Sequence, residues 1–208
     1  MKTSRTLLLA VCLLAGAFAP IANRVAAQIA QLDSVIYLPI VIGSGSSSPS
    51  PNAVENGDFE AGRTAWDEYE DSTFFDLELI VPNDRLFDPI TPYDGAWVAW
   101  LGGESGLETY IEQEILVPEF EPQLTYWHWI DSIFACDASY GGVFLDDVLV
   151  DDYLLCGEND TGGWEKRTVD LAAYAGQTVT LRFLSQTTAE NFSSLYIDAV
   201  SVRSRSHP

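Results

Sequence analysis

From Asn56 onward the apolar residues do not recur at the spacing of an amphipathic helix; they fall in short β-branched and aromatic runs separated by Gly, Pro and Asp. That pattern predicts an all-β domain. The predicted strands are Ala53–Phe59, Phe75–Ile80, Ala96–Leu101, Glu108–Val117, Gln123–Ser132, Gly142–Leu145, Val148–Leu155, Glu165–Asp170, Thr178–Ser185 and Ser194–Val202. About ten strands of this length fit a two-sheet antiparallel β-sandwich.

In QLTYWHWID, alternation places Leu124, Tyr126, His128 and Ile130 on one face and Thr125, Trp127, Trp129 and Asp131 on the other. Both faces are apolar or aromatic, as in a central strand covered on both sides or one whose outer face lines a ligand groove. GGVFLDDVLVDDYLLC reads as a hairpin turning at Asp146-Asp147, where acidic residues suit a tight turn. VDLAAYAGQTVTLRFL reads as strand, turn and strand, with Gly176 free to take positive φ.

Before this domain the pattern changes. A basic start and the apolar run Leu7 to Ala19 have the form of an export signal over residues 1–27, with Val25-Ala26-Ala27 as the cleavage site. Residues 28–43 form a short apolar segment containing VIYLPIVIG, too short to span a membrane and broken by Pro39. The Ser/Gly/Pro stretch 44–52 reads as a linker, and the β-sandwich domain is expected over 53–204. The protein is therefore expected outside the cell, free or at its surface.

The charge narrows the partners. Of 208 residues, 31 are Asp or Glu and 10 are Lys or Arg, a net charge of −21, and removal of residues 1–27 takes away only cations. Such a potential repels nucleic acid and anionic lipid. Divalent cations, neutral ligands and basic partners remain.

Loss of Cys12 with the signal leaves Cys136 and Cys156 alone in an oxidising compartment, so a disulfide is the economical reading. Closing a loop of this size stabilises a fold by roughly 3 kcal/mol in the chain-entropy model. Catalytic signatures are scarce: GGESG around Ser105 fails G-x-S-x-G because Leu107 replaces the last Gly, and no H-E-x-x-H, P-loop or C-x-x-C is present. A carboxylate pair of the glycosidase kind needs no motif, so a small hydrolase stays as a remote reading.

NGDFEAG with its following Trp66, GAWVAWLGG, LTYWHWI, the Cys-to-Cys hairpin, WEKRTVDLAAYAGQTVTLRF and the closing LYIDAVSV resemble, in that order, the galactose-binding-like jelly rolls. These include many bacterial carbohydrate-binding modules and the related MAM adhesion domains. The resemblance implies a structural calcium joining the first strand to the last, with Asp58 and Glu60 of NGDFE and Asp198 of YIDAV at the site. Ca²⁺ takes six to eight oxygens, and carboxylates from both chain ends share a site when a cation neutralises them. Asn56 or local backbone oxygens would complete the shell. Ala199 replaces an acid usual in the family, and the alternative places Asp58 in a turn, Glu60 in solvent and Asp198 at a strand end.

Pyranose rings pack their C–H faces on flat aromatic surfaces while polar groups select hydroxyls. Trp97, Trp100, Trp127 and Trp129 are the ligand-binding candidates, each with core packing as the alternative; Trp66 and Trp164 match family positions that pack inside. Asp131, Asp137, Asp146, Asp147, Asp151, Asp152, Glu158 and Asp160 surround the hairpin, as a solvated loop, a second cation site or a dock for a basic partner. The expected function is non-catalytic binding of carbohydrate; the rival is adhesion or assembly through a cell-surface protein.

Overall fold

The computed structural model describes residues 50–72 and 77–205. The expected signal, the apolar segment and most of the linker lie outside them. Ten strands form two antiparallel sheets: β1 (Asp67–Glu70), β2 (Ile80–Pro82), β3 (Trp97–Gly102), β4 (Glu108–Leu116), β5 (Pro122–Asp131), β6 (Tyr140–Leu145), β7 (Val148–Leu154), β8 (Glu165–Asp170), β9 (Thr178–Gln186) and β10 (Ser194–Ser204). One sheet has the order β1-β4-β9-β6-β7 and the other β2-β3-β10-β5-β8. The fold is the two-sheet sandwich that the residue pattern predicts. No helix among the described residues is long and apolar enough to cross a membrane.

Alternation decides what enters the core. On β5, Leu124, Tyr126 and Ile130 face inward and meet Ile111, Ile115, Leu181 and Phe183 of the opposite sheet. His128 shares that inward face and is also buried. Its Nδ1 lies 3.1 Å from the Glu165 carbonyl, and since a carbonyl only accepts, Nδ1 carries the proton. Burial holds the His128 pKa below its usual value, so the ring stays neutral. Tyr126 donates its hydroxyl to Asp151 at 2.9 Å, and Arg167 pairs with the same carboxylate from β8.

The first expected strand is absent. Residues 53–61 turn repeatedly, with Asn56 and Phe59 at positive φ, so no ladder forms. The segment instead lies along a bulge in β10 between Asp198 and Ser201, where Ala199 also takes positive φ. Val200 donates its N–H to the Gly57 carbonyl at 2.7 Å, and a Cβ on Gly57 would stand 2.1 Å from the Val200 carbonyl oxygen. Only glycine permits this approach. Asn56 organises the turn: its amide nitrogen donates to the Gly62 and Thr64 carbonyls and its oxygen accepts from the Ala61 N–H. Phe59 is thereby driven into the core against Trp66, ring centroids 5.6 Å apart.

The expected strand at 75–80 is displaced to β2, its earlier residues lying partly outside the described set. β1, DEYE, is a short acidic edge strand, and charge on an edge discourages pairing with foreign strands. The last residues of the expected linker belong to the sandwich: Asn52 accepts the Val202 N–H at 2.8 Å and donates to the Val200 carbonyl, while the Ser50 hydroxyl donates to the Ser204 carbonyl. Cys136 and Cys156 form a disulfide that joins the chain before β6 to the chain after β7.

Candidate functional site

The outward face of the β10 sheet carries a second apolar layer. Alternation turns Val98 and Trp100 of β3, Trp129 of β5 and Tyr196 of β10 away from the main core. Val81 and Ile90 join them, with Leu86 and Trp164 packed alongside. The connection 83–96 lies over part of this layer. Tyr93 stacks on Trp127 with centroids 4.0 Å apart, and Trp164 donates its indole N–H to the Thr91 carbonyl at 2.8 Å.

Beside this connection opens a cavity of about 780 Å³, within the range typical of small-molecule sites. Its apolar surface includes Trp100, Tyr196, Phe87, Leu79 and Val81. Trp100 stacks on Tyr196 at 5.7 Å, and Phe87, 72% exposed, stands edge-on to Trp100. The Trp100 indole donates to the Ser194 hydroxyl at 3.0 Å, which fixes the ring plane. Asp131 closes one side at the end of β5, and burial together with the Asp160 charge raises its pKa. Burial also pushes the Tyr196 phenol up to about 12, so it remains a neutral donor.

The four predicted tryptophans divide among three environments. Trp100 lines the cavity. Trp127 is covered by Tyr93, and Trp129, 8% exposed, belongs to the apolar layer. Trp97 points to the other side of β3 and packs against the main core. Phe87 and Tyr196, absent from the sequence prediction, complete the aromatic surface.

The predicted calcium residues converge in part. Asp198 is fully buried: one oxygen accepts the N–H groups of Tyr93 and Asp94, at 2.9 and 3.3 Å, and the other accepts that of Ala199. Glu60 accepts the N–H groups of Ala96 and Trp97 at 2.7 and 2.9 Å. The two carboxylates therefore hold one five-residue stretch, 93–97. Burial pushes the Asp198 pKa up to about 7, and the Glu60 charge adds to the rise. Asp58 is exposed and accepts only the Glu60 N–H, at 3.4 Å. No group of three or more Asp, Glu, His or Cys side chains suited to a metal occurs among the described residues. The groups that meet the two carboxylates are backbone N–H donors, from Tyr93, Asp94, Ala96, Trp97 and Ala199.

The acidic set near the hairpin disperses into separate tasks. Asp137 accepts from Thr188, Ser139 and Asn191, and the Thr188 hydroxyl above all holds its pKa down. Asp160 accepts the Ser132 and Gly162 N–H groups, Asp146 accepts that of Thr180, and Asp147 pairs with Arg182 at 3.1 Å. Asp131 alone of the set lines the cavity.

No family model matches the chain, and no curated protein matches it. Its fold is similar to that of the carbohydrate-binding module TmCBM61, solved in complex with β-1,4-galactotriose, at 13% identity and a TM-score of 0.55 over 75% of this chain and 100% of that one. It is similar to the K2 cleaved adhesin domain of Lys-gingipain, at 17% identity and a TM-score of 0.53 over 74% and 97%. A Stig cyclase, Fisc from Fischerella sp. TAU, solved with an indole-containing ligand, matches at 13% identity and a TM-score of 0.50 over 76% and 100%. Likeness at these identities establishes a shared fold.

Proposed function

We propose that this chain is an exported, non-catalytic binding module whose ligand is a carbohydrate seated in the Trp100 cavity. The carrying observation is the cavity itself: a volume that admits a sugar ring, an indole held in a fixed plane by Ser194, and polar side chains around it. A pyranose would stack on this aromatic surface while Asp131, Ser194 and the rim residues select its hydroxyls. The stack of Tyr93 on Trp127 holds the connection that supplies Phe87 and Asp88, so the wall stands formed before a ligand arrives. That TmCBM61 binds a galactotriose on a similar fold agrees with this reading.

The same proposal includes one structural calcium. Glu60 and Asp198 would hold it, with backbone carbonyls and water supplying the remaining oxygens, and Asp58 would support the turn that carries Glu60. Its contribution is charge neutralisation beside the connection 93–97, which fixes that wall. A cation there would act in addition to the backbone N–H groups that these carboxylates already accept.

The test is binding of the purified protein to a broad glycan panel with calcium present. Saturable binding that Trp100→Ala abolishes, with the fold intact by circular dichroism, is the expected result. Binding that survives Trp100→Ala would remove the cavity from the proposal, and no binding to any glycan would remove the ligand class.

Adhesion to a protein is the second reading, favoured by Ile133. This residue is 90% exposed beside the Phe134–Phe192 ring pair, whose centroids are 5.8 Å apart. Exposed apolar residues grouped in this way mark contact surfaces. Loss of cell-surface attachment in Ile133→Asp, with glycan binding unchanged, would favour it.

A further inference from the structure

The charges around the cavity do not balance. Four carboxylates line it, Glu78, Asp88, Glu104 and Asp131, against two guanidinium groups, Arg63 and Arg85. Both arginines face Glu78, at 3.2 and 3.8 Å, and Arg63 also holds Glu68 at 2.7 Å. Among the described residues, Asp88, Glu104 and Asp131 carry no side-chain hydrogen bond or ion pair. Three unneutralised carboxylates thus share one concavity with the indole of Trp100 and the ring of Phe87.

Asp88, Glu104 and Asp131 are all exposed, so each alone is well hydrated; it is their grouping around one concavity, with no protein cation paired to any of them, that favours a counter-charge there. Asp131, exposed at the cavity edge, has its pKa raised first by partial burial and then by the nearby Asp160 charge. An aromatic face beside them adds attraction for the same kind of ion, through its negative quadrupole. An ammonium group meets both demands, with three N–H donors for the carboxylate oxygens and a compact charge for the ring.

We infer that the cavity selects a saccharide bearing a free, protonated amine, an amino sugar, whose ammonium lies between Asp131 and the Trp100 ring. The inference rests on the carbohydrate-binding reading above and narrows it. Neutral sugars would leave the three carboxylates uncompensated, N-acetylation would remove the charge, and uronic or sulfated sugars would be repelled.

The experiment measures affinities of the purified protein, by calorimetry at moderate ionic strength, for four probes. These are oligomers of glucosamine, oligomers of N-acetylglucosamine of equal length, neutral galactose oligomers and oligolysine. The glucosamine oligomer is expected to bind tighter than its acetylated counterpart by about ten-fold or more, the size of a charge-assisted hydrogen bond. Asp131→Asn is expected to remove most of that preference. Glu114→Gln, which deletes an equal charge from an exposed position on β4, is expected to keep it. Equal affinity for free and acetylated oligomers would overturn the inference and leave carbohydrate binding standing. Binding of neither amino sugar nor any neutral sugar would overturn both. Oligolysine bound as tightly as the glucosamine oligomer, or equal losses in Asp131→Asn and Glu114→Gln, would assign the attraction to overall acidity and overturn the inference.

Discussion

Tyr93 lies face to face on Trp127, with planes 17° from parallel and centroids 4.0 Å apart, and it donates its backbone N–H to the buried carboxylate of Asp198. One residue thus fastens the connection 83–96 to the sheet through both its ring and its main chain. Tyr93→Ala should destabilise the fold by about 1–2 kcal/mol, the stacking contribution plus some lost burial. It should also weaken glycan binding several-fold, because Phe87 and Asp88 lie on the same connection. Denaturant unfolding and titration check the two effects, and Tyr93→Phe should preserve both properties.

Gly57→Ala should cost about 2–3 kcal/mol, the range of an overpacked site with little room to adjust. The added methyl would meet the Val200 carbonyl oxygen at 2.1 Å, across the hydrogen bond that ties the first turns to the β10 bulge. Gly163→Ala is the matched control, since a Cβ there meets nothing within 4 Å. Comparable losses in the two variants, by chemical denaturation, would refute the close-approach argument.

Removal of calcium should lower the melting temperature. The cation proposed for Glu60 and Asp198 would stabilise the folded state by mass action, about 2.7 kcal/mol at a free concentration one hundred times its Kd. Asp198→Asn and Glu60→Gln should abolish the response to chelation. A melting curve unchanged after verified metal removal would eliminate the site.

His128 gives the stability a pH dependence of defined sign. Its pKa is lowered in the folded state, first by burial and also by the Arg167 charge, from the ordinary 6.5. As pH falls through 6.5 the unfolded chain takes up a proton that the folded chain refuses, so stability drops until the folded pKa is passed. Relative to His128→Gln, which can still donate to the Glu165 carbonyl, the wild type should lose stability between neutral pH and pH 5. Parallel pH profiles for the two proteins would show that the ring does not titrate in this way.

Much of the sandwich was legible because period-two patterning is enforced by burial on both faces. β5 shows this most clearly, with Tyr126 and His128 inward and Trp127 and Trp129 outward as alternation requires. The hairpin between β6 and β7 turns at Asp146 and Asp147, both at positive φ, as a two-residue turn demands. The first turns differ from the expected strand because Asn56 and Gly57 fold the chain back on itself, and Val54 and Phe59, five residues apart and so on opposite faces of any strand, both reach the one core. β1 was missed because DEYE lacks β-branched residues and lies on an edge.

The site was less legible. Trp97 and Trp100 are three apart and so fall on opposite faces of β3, a signal present in the sequence that separates the core residue from the cavity residue. Phe87, Tyr196 and Asp131 come together only through tertiary folding, from a connection and two different strands. No local pattern records such proximity.

The fastening of Ser50 and Asn52 to the last residues of β10 puts the entry and exit of the sandwich side by side. Ser194 and Tyr196, at the opposite end of the same strand, line the cavity, about 30 Å away at the rise of a β-strand. The cavity opens on the outward face of that sheet, towards the end of β10 that lies away from both leads. A fusion joined before Ser50 or after Arg205 would therefore attach at the end of β10 opposite Ser194 and Tyr196.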